Sequence, residues 1–482
     1  ARCCTWMRIV GPIRAAAVAL MCSASPRASI PRATGSAAAE GGVHSLIKTI
    51  DNSLKADLNG DAKSDYPNQE TREVIDAHWV EVGPQALASP YLVSVSPAMA
   101  ASLGVDPAVE PEAFARYFSG DVDSFPESQR PWATPYAVSV FGQPIPSPDP
   151  FGRGNAYGDG RACSLGEFVN GDGERWELQL KGSGTTPFSR RGDGRAVLRS
   201  SVREYLVSEA MEAMGVPTTR ALCLVASKTQ YTQRMWYAAA DLGRREHPPD
   251  TLISERCAIT CRAAPSFIRV GHIELWARRA AKGEAGAEAR LSALLEHALK
   301  REFPEVDPGA PLRQRLFGML RSFADRQAKL AIAWVRVGYV QGNMNSDNCL
   351  LSGRTMDYGP FGFVEDYEPL WSPFTSDMER KFGFERQPLA AQVNVMTLAR
   401  ALLSMFVALD GDQRAAAELQ AIVNDEYPTL LSAQLGEMRR RKLGLKAWDD
   451  ATRDGLWERL HSLMEEAKPD YTVFWRQLAA FS

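Results

Sequence analysis

Between positions 341 and 359 the chain gathers oxygen-bearing side chains at close spacing: Gln341-Gly342-Asn343-Met344-Asn345-Ser346-Asp347-Asn348, then Asp357-Tyr358-Gly359. The amide of Asn348 and the carboxylate of Asp357 are hard oxygen ligands, suited to Mg2+ beside a triphosphate, with Mn2+ an alternative. Asp347, directly before Asn348, is the carboxylate placed to take a proton from a nucleophile. Three clusters upstream carry the opposite charge. Gly158-Asp159-Gly160-Arg161 places two glycines and a cation in a turn, where backbone N–H groups can approach an anion closely. Taken alone, that run reads as an ordinary hairpin turn. Lys181 ends an alternating stretch, Glu204 follows downstream, and Asp193-Gly194-Arg195 lies between them, where a helix start would favour phosphate. A surface lysine and a solvated glutamate are the plainer reading of that pair. Arg262 and Arg269 stand seven apart. One continuous helix would put both on one side, although Pro265 interrupts it. Two guanidinium groups on one pocket would suit a polyphosphate, and solvated arginines are the alternative.

These groups need elements to hold them. Residues 177–181 (ELQLK) alternate polar and apolar side chains, which predicts a half-buried strand. Val197, Leu198, Val202, Leu206, Ala210, Met211 and Met214 recur at helical spacing, and Gly215 and Pro217 then stop the helix. A strand is expected over 91–95. Helices are expected over 290–300, 312–337, 392–409, 413–424 and 457–466, with a loop-rich stretch at 338–367 among them. Strands first and helices later predict an α+β protein, with a sheet-containing N-terminal lobe and a mainly helical C-terminal lobe. The expected division is 1–40 as a leader, 41–230 as the N-terminal lobe and 231–482 as the C-terminal lobe.

Composition narrows the partners. The 482 residues carry 55 Lys and Arg against 58 Asp and Glu, a formal net charge of -3, which gives no electrostatic case for nucleic acid. No apolar run reaches the roughly 18 residues of a membrane span, so no membrane partner is expected. Residues 1–39 hold five arginines and no acidic residue, the composition of an organellar transit peptide. Of eight cysteines, Cys163, Cys223, Cys257, Cys261 and Cys349 lie beyond that leader, with no spacing that marks a zinc site or disulfide framework. Cys257 and Cys261, four apart, could share a helix face.

The order of the clusters follows the pattern of kinases: a strand lysine, a helix glutamate, a metal-binding asparagine and an Asp-aromatic-Gly triplet. One departure matters. Where a kinase has its catalytic Asp, this chain has Asn343, and the metal-binding position five residues on is Asn348. The base is therefore moved to Asp347 or lost.

Together the blocks closely resemble the selenoprotein O family (YdiU-like) of kinase-like protein adenylyltransferases. The matching stretches are GDGR from Gly158, LKGSGTTPFSRRGDGRAVLRSSVREYL from Leu180, RAAPSFIRVG from Arg262, and MNSDN with TMDYGPFGFVEDY from Met344. The resemblance implies a protein-kinase-like two-lobed fold with ATP flipped relative to ordinary kinases. AMP would then pass to Ser, Thr or Tyr hydroxyls of protein substrates, with release of pyrophosphate. It also implies that Lys181, Arg161 and the Gly158 and Gly160 backbone contact phosphates, that Asp193, Gly194, Arg262 and Arg269 hold the nucleotide, and that Glu204 orients Lys181. Asn348 and Asp357 would bind metal, Asp357 reaching the ATP as well, and Asp347 would be the proton acceptor. Many members have His where this chain has Gln341. The family further implies a mitochondrial address, a plastid one looking similar, and a monomer is expected. A conventional kinase and a non-catalytic pseudokinase scaffold are the competing functions.

Overall fold

The computed structural model describes residues 41–63, 65–122, 129–145, 157–190, 193–235, 252–410 and 414–480. The expected leader lies outside them. The strands are β1 (Val80–Glu81), β2 (Pro90–Val95), β3 (Trp132–Ala133), β4 (Ser139–Val140), β5 (Gln143–Pro144), β6 (Ala162–Val169), β7 (Arg175–Lys181), β8 (Ala196–Val197), β9 (Arg220–Met235), β10 (Leu252–Ala264), β11 (Tyr339–Val340) and β12 (Gly362–Phe363). One antiparallel sheet runs β1-β3-β6-β7-β10-β9-β2, with β8 pairing β10. Helices α1 (Val43–Ile47), α2 (Ser53–Asp57), α3 (Pro97–Leu103), α4 (Pro111–Phe118) and α5 (Leu198–Ala213) accompany it. Beyond the sheet come α6 (Val270–Ala281), α7 (Ala287–Glu302), α8 (Leu312–Val337), α9 (Gln387–Asp410), α10 (Arg414–Ala421), α11 (Tyr427–Lys442), α12 (Glu458–Ala467) and α13 (Tyr471–Ala479). This is the expected α+β arrangement of a sheet-containing lobe followed by a mainly helical one.

Side-chain alternation gives the sheet two unlike faces. Cys163, Leu165, Leu178, Leu180, Cys223, Val225, Cys257, Ile259, Cys261 and Ala263 pack with Met99, Phe114 and Phe118 from α3 and α4 in one buried core. The intervening residues Glu177, Gln179, Lys181, Thr260 and Arg262 point the other way, toward the helical lobe. Register fixes them as neighbours, Lys181 opposite Thr260 and Gln179 opposite Arg262. A second core joins α6 through α10 and is built on large apolar side chains such as Phe323, Phe406, Trp334 and Leu320.

Two expectations change here. Cys257 and Cys261 share a strand face, not a helix face, because β10 is extended through both and both are buried as free thiols. The lobe boundary expected at 230/231 falls inside β9. The sheet takes β10 as a central strand, so the N-terminal lobe continues to Ala264 and the helical lobe opens at Val270.

Candidate active site

Lys181 is the last residue of β7, and its ammonium meets Glu204 Oε2 on α5 at 2.6 Å. It also pairs with Asp357 Oδ1. The long alternating strand and the helix that returns across it make the first contact, and the loop after β11 brings the second. Arg262 lies two residues beyond Thr260 on the neighbouring strand, with Nη1 at 3.4 Å from Glu204 Oε1 and 3.5 Å from Asp357 Oδ1. Its Nη2 donates to Gln179 Oε1. A four-membered charge cluster therefore closes the cleft between sheet and helices, with Lys181 and Arg262 each almost fully buried. Burial alone would raise the Asp357 carboxyl, but Lys181, Arg262 and Arg161 hold it well below the usual carboxylate range. Arg161 is half-buried, and its guanidinium shows no carboxylate partner among the described residues. Three cations therefore surround two carboxylates, and the positive excess suits an anion.

The loop carrying Asp347 and Asn348 is held by pairing on both sides. Val270 N–H donates to the Cys349 carbonyl at 2.9 Å, and Leu351 N–H to the Ile268 carbonyl at 3.0 Å, so the loop runs beside the start of α6. Asn343 Oδ1 accepts from Asn345 N–H at 3.1 Å, so the residue at the usual kinase base position shapes the turn. Burial pushes the Asp347 carboxyl up to about 6, with Arg269 and Arg190 pulling against it and Asp357 adding to it. Its Oδ1 is buried without a hydrogen-bond partner. A carboxylate poised near neutrality with a free lone pair is what a general base needs. Gln341 Nε2 donates to the Met356 carbonyl at 2.7 Å while its Oε1 accepts from the Tyr339 hydroxyl at 2.6 Å. The carboxamide thus anchors the residue before Asp357.

The glycine turn is tightly packed. At Gly158 (φ 145°) a Cβ would overlap the Thr134 carbonyl oxygen and the Phe188 ring, and at Gly160 it would overlap Asp193 Oδ2. Both glycines permit close packing of the turn. Asp193 Oδ2 accepts from Arg190 N–H at 2.8 Å and lies over Gly160, while Gly194 takes φ 120° just before α5. Arg262 and Arg269 do not share a helix. Arg262 is on β10 and Arg269 caps α6, with Pro265 ending the strand between them. Arg269 is 3% exposed. It pairs with Asp159 Oδ1 at 2.8 Å and donates to the Asp347 carbonyl at 3.1 Å, so it ties the two loops together. Asp159, Thr134 and His272, which complete this arrangement, carry no spacing that marks them in the sequence, since their contacts exist only after the lobes meet.

These donor groups suit a divalent cation with a polyphosphate. Asp357 retains a quarter of its side-chain surface, Asn348 is half-buried, and both offer hard oxygens. No group of three His, Cys, Asp or Glu side chains is placed to bind a metal alone among the described residues.

The family model described as protein adenylyltransferase SelO matches residues 64–482. The chain belongs to this family. A protein nucleotidyltransferase YdiU from Aromatoleum aromaticum is 39% identical over 439 residues, spanning 89% of this chain and 76% of the relative. One from Xanthomonas campestris pv. campestris is 40% identical over 436 residues, spanning 90% and 76%. The matched range contains all of the clustered residues, from Gly158 in the glycine turn through Lys181 and Glu204 to Asp347, Asn348 and Asp357. Among solved structures, ROP2 from Toxoplasma gondii, titled a protein-kinase fold without enzymatic activity, aligns over 58% of this chain and 80% of its own at 11% identity, with a TM-score of 0.28. That likeness is too slight to carry an inference.

Proposed function

We propose that this enzyme transfers AMP from ATP to hydroxyl groups of protein substrates. The observation that carries the reading is the polar face of the sheet. Glu177, Gln179, Lys181 and Arg262 form its buried inner row, where a purine ring would require apolar surface. A polyphosphate tail fits there, bound by Lys181, Arg262 and Arg161. The β- and γ-phosphates then lie inward and the α-phosphate faces outward toward Asp347. Asn348 and Asp357 would hold the divalent cation, which neutralises phosphate charge when bound. Gly158, Gly160, Asp193 and Gly194 line the turn beside Arg161 and would border the nucleotide.

The chain's own groups perform the remaining tasks. Asp347 accepts the proton as the substrate hydroxyl oxygen attacks the α-phosphorus. The bond between that phosphorus and the αβ-bridging oxygen breaks, and the bond's electrons leave with pyrophosphate. Lys181 and Arg262 offset the charge that builds on the leaving group. Glu204 holds Lys181 in place through the 2.6 Å contact. The membership supports a protein substrate, and Ser, Thr and Tyr side chains supply the hydroxyl.

Parallel incubations with ATP labelled at the α-phosphate and at the γ-phosphate test the reading. Label is expected on protein from the α position alone. Label from the γ position alone would identify a conventional kinase instead.

A further inference from the structure

Asp159 sits inside the GDGR turn, yet nothing in the transfer chemistry above uses it. It is 3% exposed, and both of its carboxylate oxygens are engaged by protein donors. Oδ2 accepts from the Thr134 backbone N–H at 3.0 Å and from the Thr134 hydroxyl at 2.6 Å. Oδ1 accepts from Arg269 Nη2 at 2.8 Å. Because a carboxylate can only accept, the Thr134 hydroxyl must donate, and its oxygen is then free to accept from His272 Nε2 at 3.0 Å. The other ring nitrogen, Nδ1, accepts from the Arg269 backbone N–H at 3.0 Å. That assignment requires a neutral His272, and burial together with the Arg269 charge depresses its pKa well below the usual histidine value. Donors and acceptors thus match around a closed ring of Arg269, His272, Thr134 and Asp159. The ring of Tyr136 covers the guanidinium at 4.1 Å.

The ring has one outlet. Arg269 Nη1 donates to the backbone carbonyl of Asp347, while Asp347 Oδ1 has no partner and Arg269 Nε has none. A buried guanidinium beside a free carboxylate oxygen would pair with it unless another anion holds it elsewhere. Asp159 is that anion. We propose that Asp159 is a positioning residue: through Arg269 it fixes the loop of Asp347 and keeps the guanidinium off the Asp347 carboxylate, leaving that oxygen free for the substrate hydroxyl.

This rests on the proton-accepting role given to Asp347, so wild-type transfer from α-labelled ATP is the first arm of the test. Its absence would remove that role and leave the positioning claim without a reaction to serve. With wild-type transfer present, Asp159→Asn is expected to lower kcat on the order of 10- to 100-fold. The equilibrium Kd for ATP with Mg2+ should change less than about 3-fold, because both Asp159 carboxylate oxygens are taken up by Thr134 and Arg269. The double variant with Arg269→Gln should be no slower than Arg269→Gln alone, since the group that Asp159 restrains is gone. Multiplying losses in the double variant, or full activity in Asp159→Asn, would overturn the proposal. If Asp159→Asn does not yield folded protein, Thr134→Val, which deletes only the hydroxyl that orients the carboxylate, is measured in its place. A several-fold kcat loss at unchanged ATP Kd supports the proposal, and unaltered kcat overturns it.

Discussion

In the buried pair of Lys181 and Glu204, one side chain would serve both stability and the proposed chemistry. The sequence alone leaves Lys181 either a surface lysine or a phosphate ligand. In the structure it is 7% exposed and neutralises both Glu204 and Asp357. Lys181→Met should therefore reduce AMP transfer by at least about 100-fold. It should also lower unfolding stability without nucleotide by about 1–3 kcal/mol, seen in urea titration, since two carboxylates lose a partner. A variant that unfolds at wild-type urea concentration would show that Arg262 alone balances both. Gly158→Ala makes a separate claim. Its φ of 145° and the Thr134 and Phe188 atoms in the way predict a loss of about 1–3 kcal/mol, read as a lower thermal midpoint in nucleotide-free protein. Asp347, Asn348, Asp357, Lys181 and Glu204 were legible from sequence because their spacing lies within single loops or between adjacent elements. Asp159, Thr134 and His272 were not, because positions 134, 159, 269 and 272 meet only through packing of the lobes.

At the scale of elements, the inward row of β7 sets a pH dependence. Glu177 is buried, and its carboxylate accepts from the Phe267 N–H at 3.0 Å where the sheet passes into the helical lobe. Burial and the neighbouring Glu167 push its pKa up from 4.5 to about 7. The folded state therefore holds a proton that the unfolded chain loses above 4.5, so this stabilising contribution is present at low pH and declines as pH rises toward 7. Unfolding free energy measured by urea at about pH 5 and about pH 8 should fall between them by on the order of 1–3 kcal/mol more in wild type than in Glu177→Gln. Equal slopes would show that Glu177 titrates as an exposed acid. Helix α8 spans Leu312–Val337, the range that periodicity predicts, because an amphipathic stripe persists over seven turns and Gly338 ends it in the left-handed region. Strands β9 and β10 escaped the sequence reading. Central strands covered on both sides lose alternation, and runs such as Cys257–Ala264 fit a buried helix as well as a strand. That ambiguity also left open whether Arg262 and Arg269 share a helix, a question Pro265 already raises.

The whole molecule brings cations from the sheet to oxygen-bearing side chains from the helical lobe, so on the proposed reading a nucleotide with metal would bridge the two. Its binding stabilises the fold by mass action. At about 100 times Kd, a non-hydrolysable ATP analogue with Mg2+ should add about 2.7 kcal/mol to unfolding stability, and Asp357→Asn should lose most of the Mg2+-dependent part. Thermal midpoints with and without Mg2+ check this, and an equal Mg2+ effect in the variant would place the metal elsewhere. The central claim is the direction in which the triphosphate enters. A crystal structure with that analogue and Mg2+ reads it directly. The predicted result has the β- and γ-phosphates against Lys181 and Arg262, with the α-phosphorus facing Asp347. Adenine stacked on the Gln179 and Arg262 face, with the γ-phosphate turned toward Asp347, would contradict the account.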